Sequence, residues 1–275
     1  MSLGIAFKGP EGIVLAADSR VTLNAETPPI AGKSRIFTST FDNATKLLRV
    51  NKQTHVGAVT YGLGALGQTE PRTAHSFLPE FEASLIEKHQ ERRLSVEEFS
   101  KELSDFFLAQ WHERMPKDYK DEPLIFLIGG YDENAPYGRV FQVTIPYKPE
   151  PFETSAGPGD FGVTWGGQLD FATRLLTGFD PHLPAIIQQE LKISDEQKDE
   201  LANKLKNNLT LPIPYQFLPL QDCVDLSIFL IKTTIELQKW SIGIRGVGGA
   251  IDVATITRTD GFTDIQRKTI RGDKL

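Results

Sequence analysis

Ser2-Leu3-Gly4-Ile5-Ala6-Phe7-Lys8-Gly9-Pro10-Glu11-Gly12-Ile13-Val14-Leu15-Ala16-Ala17-Asp18-Ser19-Arg20 reads as two strands joined by a turn. Leu3 to Phe7 is short and largely apolar. Gly9-Pro10-Glu11-Gly12 is turn chemistry. Ile13 to Ala17 is apolar without alternation and is bounded by turn residues, the pattern of a strand covered on both faces. Charge at Asp18-Ser19-Arg20 ends it.

Outward from this hairpin, residues 22–45 are rich in Thr, Ser and Asn and contain Pro28-Pro29, which predicts a long loop or a flexible hairpin tip. Loops of that length are uncommon and often functional. Lys46 to Val50 and His55 to Tyr61 read as a second strand pair that stops at Gly62-Leu63-Gly64. Two helices follow. The first runs over Ala74–Arg92, with Phe77, Leu78, Phe81, Leu85 and Ile86 on one side. Ser95-Val96-Glu97-Glu98 is a capping box that opens the second, which Pro116 closes. Leu124 to Gly130, Arg139 to Ile145 and Phe161 to Gly167 read as strands, and a helix starts over Leu169–Leu176. Polar helical sequence fills 180–219, with Pro212, Pro214 and Pro219 at its end. Gln221 to Trp240 is a long apolar helix, and Ala250 to Thr257 a strand before a turn at Thr259-Asp260-Gly261.

Strands and helix pairs come in segregated runs, which indicates α+β rather than repeated βαβ units. A four-layer αββα sandwich, with helix pairs outside two packed sheets, fits this order. We expect one domain over 1–275, with a loop insertion at 24–43 and a helical insertion at 180–219.

Composition narrows the function. The 275 residues carry a net charge of −6 and are 40% hydrophobic, so a basic nucleic-acid surface is not expected. No apolar run approaches the roughly 20 residues of a membrane span. The single cysteine, Cys223, excludes an internal disulfide and a multi-cysteine metal site, and reads as an inert buried thiol. His55, His75, His89, His112 and His182 show no metal-ligand spacing, so no metal and no cofactor is expected. The N-terminus does not read as a secretory signal, which points to the cytoplasm. Ser2 is small, so Met1 is expected to be trimmed, leaving a serine with a hydroxyl and a free α-amine.

The opening segments, with Ala16-Ala17-Asp18-Ser19-Arg20, resemble the start of a proteasome β-type subunit, a family of N-terminal-nucleophile (Ntn) hydrolases. The resemblance is strong over 2–20, moderate over 43–66 and thin after that. It implies a threonine-protease-like site in which Ser2 takes the place of the nucleophilic Thr. Asp18 and Arg20 match the family's Asp and Arg, Lys46 its Lys, and Gly62 the glycine whose N–H serves the oxyanion. It implies a peptide or unfolded-protein substrate, a homo-oligomeric ring or related assembly, and an unfoldase as a partner to look for. The departures are Ser for Thr, no supporting Ser at Gly166-Gly167, and Ile244 and Val247 where the family carries Asp and Ser.

The chemistry fits those residue types. A serine hydroxyl needs a base. An α-amine has a reference pKa of about 7.7–8.0, and a neighbouring Lys ammonium lowers it further. Lys46 needs an anionic partner, and Asp18 is the candidate. Taken singly, each signal has a plain reading. Met-Ser is a common chain start, Asp18-Ser19-Arg20 can be a strand-end turn with a surface ion pair, and Gly62 can simply end a strand. Three functions stay open: a peptidase working through a Ser2 ester, a connectase-like transpeptidase using the same serine, and a non-catalytic structural subunit on the same fold.

Overall fold

The computed structural model describes residues 2–26, 36–67, 70–155, 157, 159–270 and 272. The opening hairpin is β1 (Leu3–Lys8) and β2 (Ile13–Asp18), paired antiparallel with Gly4 opposite Ala17 and every residue of both strands buried. Beside β1 runs β10 (Gly162–Gly167), and beside β2 run β11 (Ile251–Thr257) and β12 (Gly261–Gln266). The first sheet is therefore β10-β1-β2-β11-β12. The second contains β5 (Leu47–Arg49), β6 (Val56–Gly62), β7 (Leu124–Gly130), β8 (Arg139–Ile145) and β9 (Lys148–Glu153), in that order.

Helices cover both outer faces. On the second sheet lie α1 (Leu78–His89), entered by a short helical turn over Ala74–Phe77, and α2 (Val96–Arg114). Phe81, Phe99 and Phe107 pack there against Ala58, Phe126 and Phe141. On the first sheet lie α3 (Asp170–Thr177) and α6 (Leu220–Gln238). Their Ala172, Leu176, Val224 and Ile231 cover Leu3, Ile5, Phe7 and Val14. A third apolar layer between the sheets joins Ala6, Leu15 and Ala17 to Val59, Tyr61 and Leu127. The result is the four-layer αββα sandwich. Because strand side chains alternate faces, β1 sends Leu3, Ile5 and Phe7 to the helices and Gly4 and Ala6 to the other sheet. Ser2 shares that inner face.

One expectation is narrowed and one is corrected. Of the long loop or hairpin tip expected over 22–45, the structure shows the second: β3 (Val21–Glu26) and β4 (Ile36–Phe41) pair antiparallel as a sheet of their own. The Thr-rich sequence forms this ladder without joining either large sheet, so it lacks the apolar alternation that marks a core strand. Residues 27–35 of that stretch lie outside the described residues. Ile86, assigned to the buried side of the first helix, is 47% exposed. The strand β9 escapes sequence reading because Lys148-Pro149-Glu150-Pro151 looks like a breaker, yet it is an edge strand, where proline is tolerated. In 180–219 the chain forms α4 (Leu183–Leu191) and α5 (Asp195–Leu209). No residue of α5 is buried. Cys223 is fully buried on α6, and burial pushes its thiol up to about 11.

Candidate active site

Asp18 ends β2 beside the start of β1, and its carboxylate is filled from four directions. Oδ1 accepts the Leu3 N–H at 2.9 Å and the Lys46 ammonium at 2.7 Å. Oδ2 accepts the Arg20 N–H at 3.1 Å and the Gly248 N–H at 3.0 Å. An ionised carboxylate has about four acceptor sites, so this one is saturated and works as an orienting acceptor. The Lys46 and Asp18 side chains are 5% and 0% exposed, so this is a buried pair. Burial lowers the Lys46 ammonium below its ordinary value, and the charge and hydrogen bond of Asp18 oppose that shift. A second, part-buried pair, Asp252 with Lys268, also acts on Lys46, its two charges in opposite directions.

Ser2 is 4% exposed and lines one narrow pocket with Lys46, Thr60, Tyr61, Gly62 and Gly64. Its carbonyl accepts the Gln168 N–H at 2.8 Å, which holds the start of β1 against the end of β10. Met1 lies outside the described residues. Gly62 has φ +85°, and a Cβ there would sit 2.2 Å from the Pro123 carbonyl oxygen, so only glycine fits. Thr60 donates its N–H to the Lys46 carbonyl at 3.0 Å. Two residues on, strand alternation turns the Gly62 N–H to the same edge of β6, past the start of β5, and Gly62 lines the pocket.

Arg20 sits elsewhere. Its backbone serves Asp18, but its guanidinium grips Asp42 at 2.5 and 2.7 Å and the Arg245 carbonyl at 3.0 Å. Those bonds to Asp42 raise the Arg20 pKa and lower that of Asp42. Arg20 thereby braces the 245–248 segment whose Gly248 N–H reaches Asp18. Of the five candidates, Ser2, Lys46 and Gly62 line one pocket, Asp18 backs it, and the Arg20 side chain is turned away. Sequence reading missed Gly248, Asp42 and Tyr61. Gly248 and Asp42 act from positions distant in sequence. Tyr61 had one available signal, its place immediately before Gly62.

Among the described residues no group of three or more His, Cys, Asp and Glu gathers as a metal site. No helix there is long and apolar enough to cross a membrane.

No family model matches the chain. No curated protein matches it in sequence. Solved structures do match. Anbu (ancestral β-subunit) from Yersinia bercovieri superposes with a TM-score of 0.54 at 15% identity, over 96% of this chain and 86% of that one. A Gly-1 mutant of Anbu from Hyphomicrobium sp. strain MC1 gives a TM-score of 0.52 at 14% identity, over 98% and 86%. At such identity the likeness is one of fold, the four-layer αββα sandwich.

Proposed function

We propose that this chain is an Ntn acyl-transfer hydrolase of peptide bonds, with Ser2 as nucleophile once Met1 is removed. The observation that carries the reading is the convergence of Ser2, Lys46 and Gly62 on one pocket backed by Asp18, with the Lys46–Asp18 contact at 2.7 Å and buried. Buried charge is costly unless it is well paired and hydrogen-bonded. Here it supplies a fixed cation beside a serine at the end of a strand.

The chemistry runs in two halves. The α-amine of Ser2 takes the Oγ proton as Oγ adds to the scissile carbonyl carbon. Lys46 keeps that amine in its neutral, basic form by charge repulsion. The Gly62 N–H donates to the oxyanion. The tetrahedral intermediate expels the leaving amine, which takes the proton from the α-amine, and an ester at Ser2 remains. Water, deprotonated by the same α-amine, then attacks the ester, and Oγ recovers its proton. A peptide amine in place of water would give ligation. The substrate chain would lie along a strand edge beside the pocket. The fold likeness to Anbu supports assembly into a homo-oligomeric ring as part of this reading.

The test is the intact mass of the protein after reaction with an electrophilic peptide probe. We expect a mass without Met1 and with one adduct, which is lost in Ser2→Ala. Equal peptide turnover by Ser2→Ala overturns the reading and leaves the structural-subunit alternative. A competing amine peptide distinguishes hydrolysis from ligation by its ligated product.

A further inference from the structure

Of the two titratable side chains that line the Ser2 pocket, Lys46 and Tyr61, the mechanism above uses only Lys46. Tyr61 is 6% exposed and lies across the β1–β10 pair at a place cleared for it. Gly4 and Gly166 are direct partners in that pair. A Cβ on Gly4 would fall 2.8 Å from Tyr61 Cδ1, and a Cβ on Gly166 2.1 Å from both Cζ and Oη. The ring therefore runs from β1 toward β10, with its hydroxyl over Gly166.

That hydroxyl has no hydrogen-bond partner among the described residues, and burial alone pushes it up to about 12. It is a neutral phenol at every working pH. Two glycines leave the space that the ring and its hydroxyl fill. Ser2 shares the inner face of β1 with Gly4. Within a strand the nitrogen and carbonyl of one residue point to the same edge. The Ser2 carbonyl bonds to Gln168 on the β10 side, so the Ser2 nitrogen also points to the β10 side, toward the hydroxyl end of Tyr61.

We propose that Tyr61 is a positioning residue whose hydroxyl oxygen accepts a hydrogen bond from the free Ser2 α-amine, directly or through one water. With one N–H held there, the nitrogen lone pair is kept turned to Oγ. The inference rests on the acyl-transfer reading, because only a chain that begins at Ser2 has this amine.

The test compares wild type and Tyr61→Phe, each released from a fusion cleaved immediately before Ser2 and treated with a peptide vinyl sulfone. Loss of the orienting bond lowers the maximal labelling rate about tenfold and changes the probe's half-saturation concentration by less than about twofold. The melting temperature falls by no more than about 4 °C, because a single hydrogen bond contributes about 1 kcal/mol. An unchanged labelling rate overturns the inference, and so does a rate loss that comes with a larger fall in melting temperature. A second readout needs no variant. In tyrosine-labelled protein the 13Cζ resonance of Tyr61 moves between chains with and without Met1, and an unmoved resonance overturns the contact. A wild-type chain starting at Ser2 that takes no probe overturns the acyl-transfer reading itself. The resonance then still decides whether Tyr61 meets the amine.

Discussion

Asp18 accepts hydrogen bonds from Leu3, Arg20, Lys46 and Gly248, and three of those donors are backbone N–H groups. The two halves of its pair with Lys46 are therefore unequal. Asp18→Ala strands a buried ammonium and three N–H groups. We expect it to cost about 3–5 kcal/mol in urea unfolding, the range for breaking a buried pair. Lys46→Met leaves the carboxylate with its three N–H donors, and we expect a clearly smaller loss. Both variants should lose probe labelling. Lys46 also carries a pH signature. Burial lowers its folded pKa below its ordinary 10.5, so between those two values the unfolded chain binds more protons. Stability from this group therefore rises with pH across that window. Lys46→Met should flatten the rise, and unfolding curves at a series of pH values below 10.5 measure it. The identities of Ser2, Asp18, Lys46 and Gly62 as candidates were legible in sequence. The Gly248 N–H that completes the carboxylate was not, because it comes from 230 residues away.

At the scale of elements, the boundaries that sequence reading finds are those with local chemistry. The capping box at Ser95 forms in both directions, with Glu98 N–H to Ser95 Oγ at 3.1 Å and Ser95 N–H to Glu98 at 2.8 Å. The strand β8 runs over the span its alternation predicts, Arg139–Ile145. The strand β9 escapes the same reading, and β3 and β4 enter it only as the hairpin alternative to a loop, because pairing rather than apolar pattern defines them. The pair β1–β10 shows how one element constrains another. Gly166 has no local reason to be glycine beyond the Tyr61 ring that occupies its side-chain space. Gly166→Ala must displace that ring or part the strands, and overpacking of this kind costs about 1–3 kcal/mol. Thermal unfolding measures the loss, and a variant as stable as wild type would show that the ring has room to move.

Across the whole molecule, the sandwich stands apart from the segment between α3 and α6. The Leu211 N–H donates to the Leu176 carbonyl at 2.9 Å, so the chain leaves and re-enters the helical layer at nearly one point. Between those residues α5 buries nothing and α4 buries only Pro184. Replacing 180–208 with a short Gly-Ser linker should therefore shift the melting temperature by no more than about 4 °C, the change expected for roughly 1 kcal/mol in a chain of this size. A larger fall would make α4 and α5 part of the stabilising core. Such tolerance is what closure entropy predicts when the ends already meet.

The hairpin over 2–20, the segregated run of strands and helices, and the residue types that acyl transfer needs can all be read from the amino-acid order. Those features are local: turn residues, apolar runs and caps act within a few positions. Tertiary structure alone decided that Asp18, Lys46 and Gly62 meet beside Ser2, that the Arg20 guanidinium serves Asp42, and that Tyr61 lies over Gly4 and Gly166. Each of these depends on how strands far apart in sequence are set side by side. That arrangement follows from burying three apolar layers at once, a property of the whole chain rather than of any stretch within it.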